Sequence, residues 1–248
     1  MSTSEQRNVV AILGAYGGIG SALARQLTAD GYRVVLGGRD RTSLDSLAGE
    51  LDTVGVEVDG TDFDQVDQFL SQAAEEGRVS GVVNCAGSVM LKPAHLTTRK
   101  EYEETIGANL TSAFAVVRAA AKVLRRDGGS IVLISSAAAD IGLANHEAIG
   151  AAKAGVAGLV RSAAASYAGR NIRVNAVAPG LVASGATRRI VENERALETS
   201  VRMHPLGRIG QPDEVARLIT WLLDPRNDWM TGQVIQLDGG LASLKVLR

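Results

Sequence analysis

Short apolar runs alternate along the chain with longer segments in which apolar residues recur every three or four positions. The runs are typical of buried strands: Val9–Leu13, Arg33–Leu36, Val54–Val58, Val79–Val83, Ser130–Ile134, Arg173–Val177 and Val234–Leu237. The longer segments predict helices: Gly18–Asp30, Thr42–Leu51, Asp64–Glu75, Tyr102–Arg125, Glu147–Ala168 and Pro212–Leu223. This alternation predicts an α/β fold, a doubly wound parallel sheet of about seven strands with helices on both faces.

Composition and charge narrow the class of protein. The 248 residues contain no repeat, low-complexity tract or charged linker, so we expect a single domain over residues 1–248. A net charge of -1 gives no reason to expect nucleic acid or membrane as a partner. Cys85 is the only cysteine, which excludes an intrachain disulfide, and no metal site is predicted. A short polar start without an apolar signal-peptide segment favours the cytoplasm.

A glycine-rich turn follows the first predicted strand and leads into the first predicted helix. It reads Gly14-Ala15-Tyr16-Gly17-Gly18-Ile19-Gly20. Glycines allow a tight turn and a close approach of the backbone to a pyrophosphate, and the start of the helix supplies N–H donors. A turn without a ligand would hardly need four glycines, so the motif predicts dinucleotide binding in a Rossmann-type fold.

The end of the second strand indicates which dinucleotide binds. NAD-binding sheets carry an acidic residue there for the adenosine ribose, whereas NADP-binding sheets replace it and offer a cation to the 2′-phosphate. In this chain Gly38 takes that position and Arg39 follows it. We favour NADP(H) over NAD(H), because a planar guanidinium suits a phosphate. The alternative is that Arg39 and Arg41 are solvated charges and Asp40 binds the ribose.

Several further motifs occur in an order that resembles the classical short-chain dehydrogenase/reductase family, and in particular its 3-oxoacyl-ACP reductase-like members. After the glycine-rich turn they are Asn84-Cys85-Ala86-Gly87, Asn109-Leu110, Ile131–Ser136, Lys153, Arg173–Gly180, Pro205–Arg208 and Asp238-Gly239-Gly240. The resemblance covers essentially the whole chain. It implies an oxidoreductase that moves a hydride between NADP(H) and the carbonyl or alcohol carbon of a small molecule.

The resemblance also implies which residues bind the cofactor. They are Gly14, Tyr16, Gly18, Ile19, Gly20, Arg39, Asp59, Asn84, Ala86, Gly87, Lys153, Pro179, Gly180, Val182 and Ser184. Asp59 matches the acid of the adenine pocket, and the alternative for its near neighbour Asp62 is that it only caps the following helix. Leu13 replaces the usual threonine, and Gly17 stands where NADP enzymes often carry a basic residue.

The catalytic residues that the resemblance implies are present except for one. Ser136, Lys153 and Asn109 match the serine that steadies the substrate oxygen, the lysine that lowers the pKa of a tyrosine, and the asparagine of the proton path. The tyrosine belongs four residues before the lysine and thirteen after the serine. Both spacings lead to Ile149, which can neither donate a proton nor carry charge.

Three interpretations of this gap remain open. In the first, another acid replaces the tyrosine: His146 lies seven residues before Lys153, the spacing found in related enoyl reductases, and Glu147 is a weaker candidate. His146 alternatively only begins the helix. In the second, Lys153 or a water protonates the substrate. In the third, the protein binds NADP(H) without redox chemistry, as a sensor or partner subunit. We favour an enzyme, because three of the four residues remain.

Two further features concern assembly and substrate. The helix over 147–168 is crowded with alanine and glycine, and the resemblance implies a homo-oligomer, a tetramer or a dimer. The segment Leu181–Met203 lies where the family sets substrate choice. Its arginines Arg188, Arg189 and Arg195 could meet an anionic substrate, but we favour a solvated helix face.

Overall fold

A computed structural model describes residues 8–245. Seven parallel strands form one sheet in the order β3-β2-β1-β4-β5-β6-β7, so the strand order reverses between β1 and β4. The strands are β1 (Asn8–Leu13), β2 (Arg33–Gly38), β3 (Val54–Glu57), β4 (Arg78–Asn84), β5 (Gly129–Ile134), β6 (Ile172–Pro179) and β7 (Val234–Leu237). The predicted Rossmann-type α/β fold is confirmed.

Helices connect the strands and cover both faces of the sheet. They are α1 (Gly18–Ala29), α2 (Arg41–Glu50), α3 (Phe63–Glu75), α4 (Arg99–Ile106), α5 (Ser112–Val123), α6 (Glu147–Tyr167), α7 (Arg188–Val191), α8 (Glu194–Met203) and α9 (Pro212–Leu223). The alternating side chains of β1 show how two cores arise from one strand. Val9, Ala11 and Leu13 pack in the core with residues of α3, α5 and α6. Val10 and Ile12 pack in the core with residues of α1, α2 and α9.

The long helix predicted over 102–125 is two helices with a wider turn between them. It begins earlier, at Arg99, because Thr98 and Glu101 form a reciprocal cap in which each side chain binds the other's backbone N–H. Residues 107–111 then form a single π-helical turn, after which α5 ends at Val123. The π turn contains Asn109, so the irregularity falls at a predicted site residue.

Two classes of feature are absent from the described part of the chain. Between residues 8 and 245, no helix combines the length and the apolar character that crossing a bilayer requires. Within the same range, no group of three or more His, Cys, Asp or Glu side chains is arranged to hold a metal ion.

Candidate functional site

A cleft of about 670 Å³ opens where the carboxyl ends of the strands meet the loops that follow them. Residues of the glycine-rich loop line one end of it, and Ser136, Asn109 and Lys153 line the other. His146 and Ile149 lie on the wall near these side chains. Four of the expected cofactor residues lie outside the wall, namely Gly14, Arg39, Asp59 and Asn84.

The glycine-rich loop is held close to two neighbouring segments of backbone. Gly14 has a φ of +78°, and its N–H donates to the carbonyl of Gly37 at 2.8 Å. A Cβ at Gly14 would lie 2.5 Å from the backbone nitrogen of Ala86, and one at Gly20 would overlap the Gly14 carbonyl. Only glycine fits these two positions.

The start of α1 has the properties of an anion site. No side chain caps it, and no acidic residue lies in its first turn. The first N–H groups of a helix have no partners within the helix, and the helix dipole favours a negative charge at this end. Because α1 begins inside the glycine loop, this end of the cleft fits the pyrophosphate of a dinucleotide.

At the end of β2, Gly38 lies under an aromatic ring. A Cβ at Gly38 would overlap the Cε1 and Cδ1 atoms of Tyr16, so any larger residue would force that ring to move. An acidic side chain of the NAD-binding kind would therefore fit here only if the Tyr16 ring moved away. Tyr16 belongs to the wall of the cleft, which links this contact to the cofactor end.

Three charged residues follow Gly38, and their contacts separate them. Asp40 caps α2 by accepting from the backbone N–H and the hydroxyl of Ser43. These hydrogen bonds lower the pKa of Asp40. Arg41 pairs with Asp45 at 2.9 Å. Arg39 is exposed, and among residues 8–245 its guanidinium has no hydrogen-bond or ion-pair partner. The alternative in which Asp40 binds the ribose is weakened by its capping role, whereas Arg39 is available for a phosphate.

The adenine end contains two neighbouring carboxylates with different contacts. Oδ1 of Asp59 accepts from the backbone N–H and the hydroxyl of Thr61 at 2.9 and 2.8 Å. Asp62 caps α3 by accepting from the N–H groups of Asp64 and Gln65. Asp62 therefore caps the following helix, which is the alternative that the sequence analysis gave for it. The loop after β4 is set by Asn84, whose Oδ1 accepts from the Ala86 N–H at 3.0 Å.

Lys153 lies deep in the catalytic end of the cleft and is only 7% exposed. Its Nζ donates to the carbonyl of Ile134, the last residue of β5, at 2.8 Å. Burial lowers its pKa to about 8, an effect that the nearby Cys85 thiol opposes. Burial conversely raises the pKa of Cys85 to about 12. Lys153 can thus exchange a proton near neutral pH, unlike a solvated lysine.

Ser136 is the second residue after the end of β5. Its hydroxyl accepts from the N–H of Ala138 at 3.2 Å, which orients the oxygen while leaving the hydroxyl proton to donate. The preceding residue, Ser135, anchors α6 instead, because its hydroxyl donates to the backbone carbonyl of Lys153 at 3.0 Å. These hydrogen bonds hold the end of β5, which Ser135 and Ser136 follow, against α6, which carries Lys153.

Asn109 joins the π turn to the loop after β4. Its Nδ2 donates to the carbonyls of Thr105 at 2.9 Å and Ser88 at 3.2 Å, and its Oδ1 accepts from the Ser88 N–H at 3.4 Å. Asn109 is almost fully buried. It therefore has a structural function in shaping the cleft, whatever it contributes to proton movement.

Ile149 is the residue at which the sequence analysis expects the family tyrosine. It is 4% exposed and lines the cleft, on the same helix as Lys153 and one turn before it. Ile149 therefore adds an apolar surface, without a proton donor, to the polar side chains in this part of the cleft.

His146 is the residue before α6, and its imidazole is partly buried in the wall of the cleft. Its Nδ1 lies 2.8 Å from the carbonyl of Ala144, so Nδ1 carries the proton of the bond. Nε2 has no hydrogen-bond partner among residues 8–245. The loop that leads to His146 is also held by a neighbouring segment, since the Lys92 N–H donates to the carbonyl of Asn145 at 2.8 Å. Glu147 points elsewhere: it accepts from the Ala94 N–H at 3.4 Å and does not line the cleft.

Two residues that the sequence reasoning missed hold the segment after β6. His204 is 3% exposed; its Nδ1 donates to the carbonyl of Ser200 at 2.6 Å and its Nε2 accepts from the N–H of Leu181 at 3.1 Å. The Thr187 hydroxyl donates to the carbonyl of Val182 at 2.6 Å and accepts from the N–H of Ser184 at 3.0 Å. In the sequence, the only indication of this arrangement is the histidine directly before Pro205. Together these bonds fix the residues expected beside the nicotinamide.

Comparisons with known proteins cover the same length of chain. Residues 14–242 match the family model described as Enoyl-(Acyl carrier protein) reductase. The 3-oxoacyl-[acyl-carrier-protein] reductase FabG of Thermotoga maritima is 37% identical, covering 94% of this chain and 97% of the relative. The 3-oxoacyl-[acyl-carrier-protein] reductase MabA of Mycobacterium tuberculosis is 34% identical over 94% of this chain and 92% of the relative.

Solved structures agree with these relatives. A short-chain type dehydrogenase/reductase from Mycobacterium ulcerans superimposes with a TM-score of 0.91 at 30% identity, over 96% of this chain and 90% of that one. A single-substitution variant of actinorhodin polyketide ketoreductase with NADPH gives a TM-score of 0.90 at 28% identity, over 98% and 100%. Sequence and fold thus agree over nearly the whole chain, and the expected motifs meet in one cleft. The protein belongs to the short-chain dehydrogenase/reductase family of oxidoreductases.

Proposed function

We propose that this protein is an NADP(H)-dependent oxidoreductase that acts on a carbonyl or alcohol with a proton donor other than tyrosine. One feature of the cleft supports this most directly. Ser136, Lys153 and His146 line the same space, while Ile149 fills the place of the phenol. A site that only held a nucleotide would have no need of an oriented serine hydroxyl beside a buried lysine.

The preference for NADP(H) is supported by contacts at the end of β2. Tyr16 fills the volume over Gly38 that an acidic residue would need, and Arg39 is the cation there without a partner among residues 8–245. Among the structural neighbours, the polyketide ketoreductase is described with NADPH and ElxO with NADP. When bound, the nicotinamide supplies or accepts the hydride. Lys153 and the Pro179–Ser184 segment would hold its ribose and ring.

The side chains of the catalytic end divide the remaining tasks. Ser136 donates its hydroxyl proton to the substrate oxygen and stabilises the charge that develops there. We assign the transferred proton to Nε2 of His146 in its doubly protonated form, because Nδ1–H is fixed on the Ala144 carbonyl and Nε2 remains available. After the transfer the ring is neutral and keeps its one proton on Nδ1. Lys153 is the second candidate, since its pKa of about 8 leaves it a usable proton near neutral pH.

Single substitutions separate these roles. We expect His146→Ala and Ser136→Ala each to lower NADPH-dependent reduction of a panel of ketones and acetoacetyl thioesters by about 10²–10⁴-fold. Their NADP+ affinities, measured by calorimetry, should not change, because neither residue is needed to hold the cofactor. Lys153→Ala should lower both the rate and the affinity.

Two other results would redirect the assignment. A His146→Ala protein with full activity would transfer the proton to Lys153 or to a water. A protein that binds NADPH tightly but reduces nothing in the panel would favour the alternative, a sensor or partner subunit without redox chemistry. Glu147→Ala is the matched control, because Glu147 neighbours His146 and does not line the cleft.

The rest of the proposal concerns assembly and location. We propose a cytoplasmic homo-oligomer, a tetramer or a dimer. Half-exposed Tyr102 and Phe114 on α4 and α5, and exposed Ala151 and Ala154 on α6, support an interface built on these helices. Light scattering of the purified protein tests the oligomeric state.

A further inference from the structure

The charged side chains in the cleft are all basic. Lys153 and Arg188 line it together with the imidazoles of His146 and His204, and no Asp or Glu of the described chain does so. Lys153 and His146 belong to the reacting centre proposed above. Arg188 lies in the segment after β6, apart from both, and the catalytic roles do not use it.

The backbone that carries Arg188 is fixed to the catalytic end of the cleft. Thr187, the residue before it, is 7% exposed and bonded to the Val182 carbonyl and the Ser184 N–H. Arg188 is therefore the first residue of α7 beyond an anchored position. Its long side chain starts from a defined point near the nicotinamide-supporting segment.

The guanidinium of Arg188 is weakly held within the chain. Its one ion pair within residues 8–245 is with Glu192, whose Oε1 lies 3.9 Å from Nε, and both side chains are largely exposed. For comparison, Arg208 makes two hydrogen bonds to Glu214, at 2.8 and 2.6 Å. A ligand carboxylate that met Arg188 in two-pronged geometry would make stronger bonds than Glu192 does. Arg189, the next residue, is exposed and does not line the cleft.

The lining of the cleft that holds both Arg188 and the reacting centre is largely apolar. It includes side chains from four segments of the chain, namely Leu143, Ile149, Leu181, Ile190, Met203 and Leu241. A largely apolar cleft with Arg188 in its wall, outside the reacting centre, suits a molecule that is hydrocarbon along its length and anionic at one tip.

We propose that Arg188 binds a carboxylate on the substrate, so that the proposed reductase acts on oxo acids, or on the matching hydroxy acids, with an apolar chain between the carbonyl and the carboxylate. This builds on the proposed function, because the carbonyl is taken to lie at Ser136. The proposal also assigns different roles to the two adjacent arginines: Arg188 binds the ligand, and Arg189 is a solvated charge.

Binding to the protein saturated with NADP+ tests the assignment without depending on turnover. The probes are methyl-ketone acids, CH3–CO–(CH2)n–COO⁻ with n from 2 to 8, and the neutral carboxamide of each. Calorimetry should find one chain length bound most tightly, and the acid bound about 10- to 100-fold more tightly than its amide. Arg188→Ala should remove that difference, while Arg189→Ala should leave it intact.

Further outcomes separate this inference from the function on which it builds. If acids and amides bind equally and Arg188→Ala changes neither, the assignment to Arg188 is wrong, while ketone reduction by the unmodified protein would still support the reductase. If Arg188→Ala weakens NADP+ itself, Arg188 is a cofactor ligand and the proposal is overturned. If acids bind selectively but no ketone is reduced, the anion site stands and the proposed reaction is wrong.

Discussion

The two ends of the cleft are built in different ways. The cofactor end is mostly backbone: Gly14 and Gly20 permit contacts that no side chain would allow, and the start of α1 offers its N–H groups without a cap. The catalytic end is mostly side chains: Ser136, Lys153 and Asn109 are each fixed by hydrogen bonds to the backbone.

This difference explains where the protein can depart from its family. A binding site built from backbone atoms is disrupted when a single Cβ is added, so its glycines cannot readily be substituted. A side-chain site can lose one member while the others keep their positions, because each has its own backbone partner. On the proposed function Ile149 is such a loss: it packs into the wall, and Lys153 bonds to Ile134.

The largest effect should follow from restoring the phenol. In a His146→Ala background, which lacks the proposed donor, Ile149→Tyr should raise ketone reduction by up to about 10²–10⁴-fold, the usual value of a positioned acid. The larger ring should cost about 1–3 kcal/mol of the free energy of unfolding through overpacking. Initial rates of NADPH oxidation and thermal melts measure the two effects, with Ile149→Phe as the control for the ring without its hydroxyl. A folded, NADPH-binding tyrosine variant with no gain would mean that the pocket itself no longer accepts carbonyls.

A smaller effect should distinguish the two arginines of the cofactor end. Arg39→Ala should weaken NADP+ binding by about 10- to 100-fold, because it removes a charge-assisted bond to the 2′-phosphate, and should leave NAD+ binding unchanged. Arg41→Ala should change neither affinity, since Arg41 is paired with Asp45. Calorimetric titration of both nucleotides measures this, and equal losses in the two variants would contradict a specific role for Arg39.

The smallest effect is a pH dependence of stability that arises in the catalytic end. The pKa of Lys153 falls from 10.5 to about 8 on folding, so above pH 8 the unfolded chain binds more protons and stability rises with pH. Between pH 8 and 9 the gain should be about 1 kcal/mol relative to Lys153→Met. Urea unfolding measures it, and the range stops at pH 9 because Cys85, with its raised pKa, acts in the opposite direction above it. Parallel curves for the two proteins would show that Lys153 is better solvated than its burial implies.

The regular parts of the fold could be predicted from sequence. Predicted and observed β1, β5 and β7 agree within one residue at each end, because buried parallel strands are continuous apolar runs bounded by turns. The π turn at residues 107–111 was not predicted. It is associated with tertiary bonds from Asn109 to Ser88, and the apolar period around it looks like that of an ordinary helix. For Leu181–Met203 we expected a helix face without bounds, and the structure divides it into the short helices α7 and α8.

The candidate site could be predicted in its members but not in their contacts. The family resemblance implied Ser136, Lys153 and the gap at Ile149, and these residues line one cleft in the structure. The role of His204 depends on the N–H of Leu181, which is 23 residues away, so no local pattern reveals it. Arg188 and Arg189 are adjacent and chemically identical in sequence. Only the direction of α7 places Arg188 in the wall of the cleft and Arg189 outside it.

The ring of Tyr16 over Gly38 also constrains how descendants of this protein can change. An acid at position 38 collides with Tyr16 and must displace it, so the single substitution Gly38→Asp is penalised before it brings any benefit. Shrinking Tyr16 first removes the collision. The order of the two substitutions therefore matters: the change in the glycine-rich loop has to come before the change at the end of β2.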